Sequence, residues 1–179
     1  MATSAYKPIS DYGIIGDCRS AALVGLDGSI DWCCFPRFDS PSVFAATLDA
    51  NKSGHFSLKP QVTFTSQQRY VGDTNVLETQ FDTGAGRCTV TDCMPLYRRA
   101  DSSPVELHQI VRALRCEQGI VPMKLSYVPR PDYGRLPVKL RGNGDIVYVA
   151  DGIGTLSMQS PVNLTVLGDR ADPPQARDR

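Results

Sequence analysis

Residues 11–49 read DYGIIGDCRSAALVGLDGSIDWCCFPRFDSPSVFAATLD. Two apolar runs, 20–25 and 30–35, flank the pair Asp27-Gly28. Such a pair between apolar runs marks a β-hairpin, because its turn needs a positive φ. Strict alternation puts Ile30, Trp32 and Cys34 on one face and Asp31, Cys33 and Phe35 on the other. Trp32 is the one tryptophan of the chain and is expected in the core. Cys33 and Cys34 are expected on opposite faces, so only one of them is expected there. Pro36 ends the strand by removing a backbone donor. A dense loop follows, Pro36-Arg37-Phe38-Asp39-Ser40-Pro41. Ser40 as a cap, Pro41 at the first helical position and the apolar residues after them predict one short helix over 40–49.

Outward from this stretch the chain reads as short strands separated by Gly, Pro, Asn and Asp. Residues 55–58 and 62–71 read as single strands. A second hairpin is predicted from 75–82 and 87–92 around a turn at 83–86. A third joins 105–116 to 120–128 around Glu117-Gln118-Gly119. A fourth joins 138–141 to 146–150 around Gly142-Asn143-Gly144-Asp145. Strands at 155–159 and 162–167 close the ordered part. The pattern predicts an all-β antiparallel sandwich of the supersandwich type with one short helix. Residues 1–168 are expected to form the domain. Residues 169–179, polar and poor in apolar side chains, read as a linker or disordered tail.

Composition narrows the function. Of 179 residues, 19 are Lys or Arg and 19 are Asp or Glu, so the formal net charge is zero. This is not the basic footprint of a nucleic-acid binder. A run of about 18 apolar residues, which a membrane-spanning helix needs, is lacking. The N-terminus has no basic segment leading into an apolar one, so no signal peptide is expected and the cytoplasm is the expected location. The six cysteines form no CxxC pair and have no histidine at ligand spacing, so no metal site is expected. They read instead as thiols embedded in strands. Neither a GxGxxG run nor a P-loop is present, and no cofactor is expected.

Two loops carry the candidate site. Pro36-Arg37-Phe38-Asp39 and Pro129-Arg130-Pro131-Asp132 each set an arginine two residues before an aspartate, framed by proline. Three readings stand. In the first, the arginine and aspartate pair within each loop and do no more than hold it. In the second, the loops dock another domain, with Phe38 and Tyr133 as aromatic anchors. In the third, Arg37 and Arg130 present a fork to a carboxylate or to sugar hydroxyls. Hydrolysis of a glycoside would need two carboxylates across a cleft. Asp31, Asp39, Glu78, Asp92, Glu106 and Asp132 are candidates, and nothing in the sequence pairs any two of them. Cys18, which follows Gly-Asp, has no feature that marks a nucleophile.

The stretch 11–49 resembles the opening of the bacterial glucoamylase- and trehalase-like glycoside hydrolases, glycoside hydrolase family fifteen. The resemblance continues in order through YVGDTNVLE (70–78), VTDCMP (90–95), IVRA (110–113) and PRPDYGR (129–135), covering most of residues 6–150. It implies a non-catalytic N-terminal β-sandwich that packs on an (α/α)6 barrel. That barrel would carry the two glutamates that hydrolyse an α-glucosidic bond in trehalose or a short α-glucan, with inversion. On this resemblance no catalytic residue is expected in the chain itself. Arg37, Phe38, Asp39, Arg130, Asp132 and Tyr133 are the expected interdomain or ligand contacts. The family's sandwich runs on past the equivalent of Leu167, so a C-terminally truncated sandwich is expected, with an exposed sheet edge open to self-association. The alternative is a carbohydrate-binding module that works alone.

Overall fold

The structure is a computed structural model that describes residues 6–101, 104, 105, 107–136, 138–150, 155–167 and 170–172. Its strands, in chain order, are β1 (Tyr12–Gly16), β2 (Ala21–Gly25), β3 (Ser29–Cys34), β4 (Ser42–Phe44), β5 (His55–Pro60), β6 (Phe64–Tyr70), β7 (Leu77–Thr83) and β8 (Gly86–Cys93). There follow β9 (Tyr97–Arg98), β10 (Pro104–Val105), β11 (Val111–Gly119), β12 (Met123–Val128), β13 (Leu140–Ala150), β14 (Thr155–Leu167) and β15 (Arg170–Asp172). One large sheet runs β1-β2-β3-β5-β12-β15-β14-β13, with β4 added on β3. A four-stranded sheet runs β11-β8-β7-β6. All pairings are antiparallel, as the turn-rich sequence predicts for an all-β sandwich.

The apolar faces meet between the sheets. Ile15, Val24, Ile30 and Cys33 from the large sheet pack with Phe44, Phe56, Leu77 and Tyr127 in one cluster. Leu58, Phe81, Cys88 and Val90 form a second. Edge-to-face ring pairs tie these residues together, Phe56–Tyr127 at 5.3 Å and Phe64–Phe81 at 5.1 Å between centroids. Aromatic rings prefer this arrangement because the positive edge of one meets the negative face of the other.

One polar clasp crosses the core. Asp92 of β8 is fully buried and the Arg112 side chain of β11 is 3% exposed. Arg112 Nε and Nη2 donate to the two carboxylate oxygens of Asp92 at 2.8 and 3.1 Å. The remaining donors reach across to the large sheet, to the Phe56 carbonyl at 2.6 Å and the Gly28 carbonyl at 2.8 Å. The guanidinium also lies 4.8 Å from the Phe56 ring centroid. The cost of burying a guanidinium is offset where a carboxylate and several acceptors converge on it, as here.

The Asp27-Gly28 hairpin forms, with Gly28 at φ 77° and its amide bonded to the Gly25 carbonyl at 2.8 Å. A Cβ on Gly28 would stand 2.4 Å from the Leu58 carbonyl oxygen, so glycine is required sterically as well as conformationally. The alternation expected along β3 does not hold. Leu23 pairs with Trp32 but Val24 pairs with Ile30, so Asp31 is an extra residue in a β-bulge. The bulge shifts the phase: Ile30 and Cys33 both face the core, and Trp32 turns to the outer face, half-buried. Trp32 is therefore not a core residue, and Cys33, fully buried, takes that place. Cys34 is buried too, because β4 covers that end of β3 and a second register shift separates the two cysteines.

Four other expectations are corrected. No helix forms over 40–49. Ser42 and Phe44 pair with β3 as β4, and the Ser40 hydroxyl accepts the Arg37 amide instead of capping a helix. Burial of Val43, Phe44 and Ala45 in succession suits a strand covered on both faces. The third hairpin is not one. β11 pairs with β8 and β12 with β5, in different sheets. The chain crosses between sheets at Ile120-Val121-Pro122, where proline cannot continue a ladder. The fourth hairpin is also absent. Residues 142–145 lie inside β13, as an irregularity in its pairing with β14, and 155–167 form one strand. Residues 170–172 of the segment read as a tail form β15, between β12 and β14. Residues 173–179 lie outside the described residues.

Candidate docking surface

The first loop hangs from the end of β3. The Phe35–Pro36 bond is cis, and the Phe38 amide donates to the Arg19 carbonyl at 2.8 Å, tying the loop to the β1–β2 turn. That turn is itself set by Asp17, whose buried Oδ1 accepts the amides of Arg19 at 2.9 Å and Ser20 at 2.7 Å. Cys18 is held between them at φ 67°. Arg37 Nε reaches Asp39 Oδ1 at 3.1 Å, with both side chains largely in solvent. Phe38 is 62% exposed. Cys18, Arg19, Arg37, Phe38 and Asp39 line a shallow, open depression of about 190 Å³.

The second loop lies against β4, the strand the first loop leads into. The Arg130 amide donates to the Val43 carbonyl at 2.9 Å, and the Tyr133 amide donates to Ser42 Oγ at 3.2 Å. Asp132 and Tyr133 stand at φ 51° and 58° in a single 3-10 turn, Asp132–Gly134. Arg130 Nη1 donates to the Pro129 carbonyl at 3.1 Å. Asp132 faces Arg135 at 3.7 Å, so its ion-pair partner is not Arg130. The likeness of the two loops is thus one of sequence, with the intraloop Arg-Asp pair formed only by Arg37 and Asp39.

The two loops flank a surface that sequence reasoning missed. Ile14, Leu23 and Trp32 are register partners across β1, β2 and β3, and so form one row on the outer face. The Tyr133 ring extends it, 6.3 Å from Trp32. Ile14 is 54% exposed. Gly16 and Ala21, the next pair along β1 and β2, leave the surface flat there. Without the bulge at Asp31, Trp32 would face inward and this row would be broken. The bulge signal in sequence is weak: an aspartate inside an apolar strand.

Charged groups border the row on its other side. Asp31 Oδ2 accepts Lys7 Nζ at 2.5 Å and the Tyr12 hydroxyl at 2.8 Å, and Oδ1 accepts the Ser29 hydroxyl at 2.5 Å. Lys7 also meets Asp27 at 2.9 Å, and Asp27 meets Lys59 at 3.2 Å. Burial opposes the charge on Lys7, but its bonds to Asp31 and Asp27 outweigh this and hold the ammonium above its ordinary value. Burial likewise opposes the charge on Asp27, and the bond from Lys7 with the charges of Lys7 and Lys59 holds its carboxyl below the usual range. His55 is pushed down, chiefly by burial.

Five of the six candidate carboxylates are paired within the domain. Asp31 is held by Lys7, Asp39 by Arg37, Glu78 by Arg69, Asp92 by Arg112 and Asp132 by Arg135. Glu106 lies outside the described residues. Among the described residues no group of three or more His, Cys, Asp or Glu side chains is placed to hold a metal ion.

Comparison with known proteins gives the context of this surface. The family described as trehalase-like, N-terminal, matches residues 1–174. A trehalase of Mycolicibacterium smegmatis is 35% identical over 144 residues, covering 73% of this chain and 21% of that enzyme. Trehalase 1 of Sulfolobus acidocaldarius is 36% identical over 164 residues, covering 91% of this chain and 25% of that enzyme. A trehalase of Thermoplasma volcanium is 34% identical over 155 residues, covering 84% and 24%. The chain therefore spans about a quarter or less of the length of these curated relatives. No solved structure gives a significant match. With its bulged hairpin, its paired loops and a match along nearly its whole length, the chain belongs to the family of trehalase-like N-terminal domains.

Proposed function

We propose that this chain is the non-catalytic N-terminal domain of a hydrolase of the family-fifteen type acting on α-glucosidic bonds, in trehalose or a short α-glucan. It docks on an (α/α)6 catalytic barrel through the outer face of β1–β3 and the loops at 36–39 and 130–133. The observation that carries this reading is the row Ile14–Leu23–Trp32–Tyr133. It is an apolar band with charged groups on both flanks, the anatomy of a protein interface. Phe38 and Tyr133 are its aromatic anchors and Arg37, Asp39, Arg130 and Asp132 its polar rim. The five candidate carboxylates among the described residues, Asp31, Asp39, Glu78, Asp92 and Asp132, each face a cation on their own fold, which supports a non-catalytic role.

Two measurements test this. The purified chain releases no glucose from trehalose; release that survives Asp39→Asn and is lost with another carboxylate variant contradicts the reading. Co-expressed with the mycolicibacterial trehalase lacking its matching N-terminal part, the chain co-purifies, and Phe38→Ala weakens the association. Failure of both effects removes the proposal.

A second reading, sugar binding by the domain alone, draws on the half-exposed Trp32–Tyr133 pair. Calorimetric titration with trehalose and maltooligosaccharides decides it: a flat trace at millimolar sugar removes it. We also place the enzyme in the cytoplasm, supported by Cys33, Cys34 and Cys88 serving as buried free thiols. Fractionation of the tagged enzyme checks this, and recovery from the medium contradicts it.

A further inference from the structure

We propose that β11 is a pairing edge for a second copy of this chain, so that two four-stranded sheets join as one across a two-fold axis. This inference is independent of the docking surface, which lies on the other sheet. Among the described residues, β11 ends the four-stranded sheet and is paired on one side only, with β8. Along its length only Arg112 is covered; the other eight residues are exposed.

The exposed residues are not all outward-facing ones. Leu114 stands opposite Val90 and Cys116 opposite Cys88, and directly opposed residues share a face. Val90 and Cys88 are buried in the second core cluster, whereas Leu114 is 45% exposed and Cys116 is exposed. Leu114 and Cys116 thus continue the core row and are left uncovered by the domain itself.

Two other edges, those of β1 and β6, are closed or polar. At the edge of β1, the Tyr70 hydroxyl accepts the Ile14 amide at 2.9 Å and donates to the Ile14 carbonyl at 3.0 Å. Asn75 Nδ2 donates to the Gly16 carbonyl at 2.5 Å. The β6 edge carries Thr65, Ser66, Gln67, Gln68 and Arg69 in succession. β11 has neither device along Ala113-Leu114.

Charge complementarity selects a second copy as the occupant. Antiparallel pairing of β11 on itself about Cys116 sets Arg115 opposite Glu117 of the other copy, twice by symmetry. The Glu117 carboxylate accepts Thr89 Oγ1 at 2.8 Å, and Thr89 is the register partner of Arg115, so both charges lie on the outer face. Pairing about Arg115 would instead oppose two like charges. The ladder shifts at Glu117, between Cys116 and Gln118. Bulges at edges commonly serve to block pairing, so a strictly monomeric chain is the contrary reading.

Analytical ultracentrifugation of the 179-residue chain, from roughly 1 to 100 µM, decides between them. The expected result is a monomer–dimer equilibrium. Arg115→Glu and Glu117→Arg each weaken it at least about tenfold, and the two together restore it. As a second readout that needs no charge variant, copper-phenanthroline and dissolved oxygen oxidise the two Cys116 thiols of a Cys18→Ser dimer to a disulfide. Cys18→Ser with Cys116→Ser gives none. A monomer at every concentration, or a dimer indifferent to the charge variants and not cross-linked through Cys116, overturns the proposal.

Discussion

Replacing Arg112 by Met removes the clasp between the sheets while keeping most of the side-chain volume. What remains is Asp92, fully buried, without the two donors that neutralise it at 2.8 and 3.1 Å. An uncompensated buried carboxylate costs about 3–5 kcal/mol. The two carbonyls lose less, because Gly28 keeps the Leu58 amide at 3.1 Å and Phe56 lies within a strand ladder. For a chain of this size about 3–5 kcal/mol lowers the melting temperature by roughly 6–20 °C, out of a total stability of about 5–15 kcal/mol. Urea unfolding followed by far-UV circular dichroism reads the loss. Asp92→Leu combined with Arg112→Met removes both charges and costs less than Arg112→Met alone. A single variant within about 1 kcal/mol of the parent contradicts a buried clasp, since surface ion pairs are worth no more than that. So does a double variant as costly as the sum of the singles.

Gly28→Ala is destabilising by about 1–3 kcal/mol or more, from its positive φ and the Leu58 carbonyl in its path; a melting temperature unchanged from the parent contradicts this. Ellman's reagent at pH 8 labels Cys18 and Cys116 promptly and leaves Cys33 unreacted until the chain unfolds. Burial pushes the Cys33 thiol up to about 12, leaving a thiolate fraction of about 10⁻⁴ at that pH; prompt labelling in Cys18→Ser/Cys93→Ser/Cys116→Ser contradicts the burial. Acidification destabilises in two steps. His55 and Asp27 both have folded pKa values below their unfolded ones, so the unfolded chain takes up protons first and stability falls with pH. The His55 step begins below about pH 6.5 and the Asp27 step below about pH 4. His55→Gln removes the first step, and an unchanged pH profile in that variant contradicts the assignment.

The strands bounded by turn residues were legible in sequence because their signals are local. Asp27-Gly28 and the 83–86 turn each close a hairpin within a few residues, and both form. The failures are non-local. Nothing near Ser40 in sequence reveals that β3 waits to pair with Ser42 and Phe44. The run 105–128 resembles a hairpin until Arg112 is seen to need acceptors on the far sheet. The extra residue at Asp31 inverts the faces of Trp32 and Cys33, and its cause is tertiary: Lys7, Tyr12 and Ser29 converge to satisfy the carboxylate there. The two candidate loops could be named from their proline-framed arginines and aromatics. The row between them, Ile14–Leu23–Trp32, depends on strand register and on that bulge, and so could be seen only in the fold.

Hydrogen exchange bears most directly on the claim that this row carries the rest of a trehalase-like enzyme. The measurement compares the chain alone with the chain co-purified with the mycolicibacterial enzyme lacking its matching N-terminal part. Slowed exchange is expected in residues 12–16, 21–25, 36–39 and 130–135, with the buried ladder at 86–93 unchanged. Exchange unaltered on the outer face of β1–β3, or protection confined to the four-stranded sheet, contradicts it.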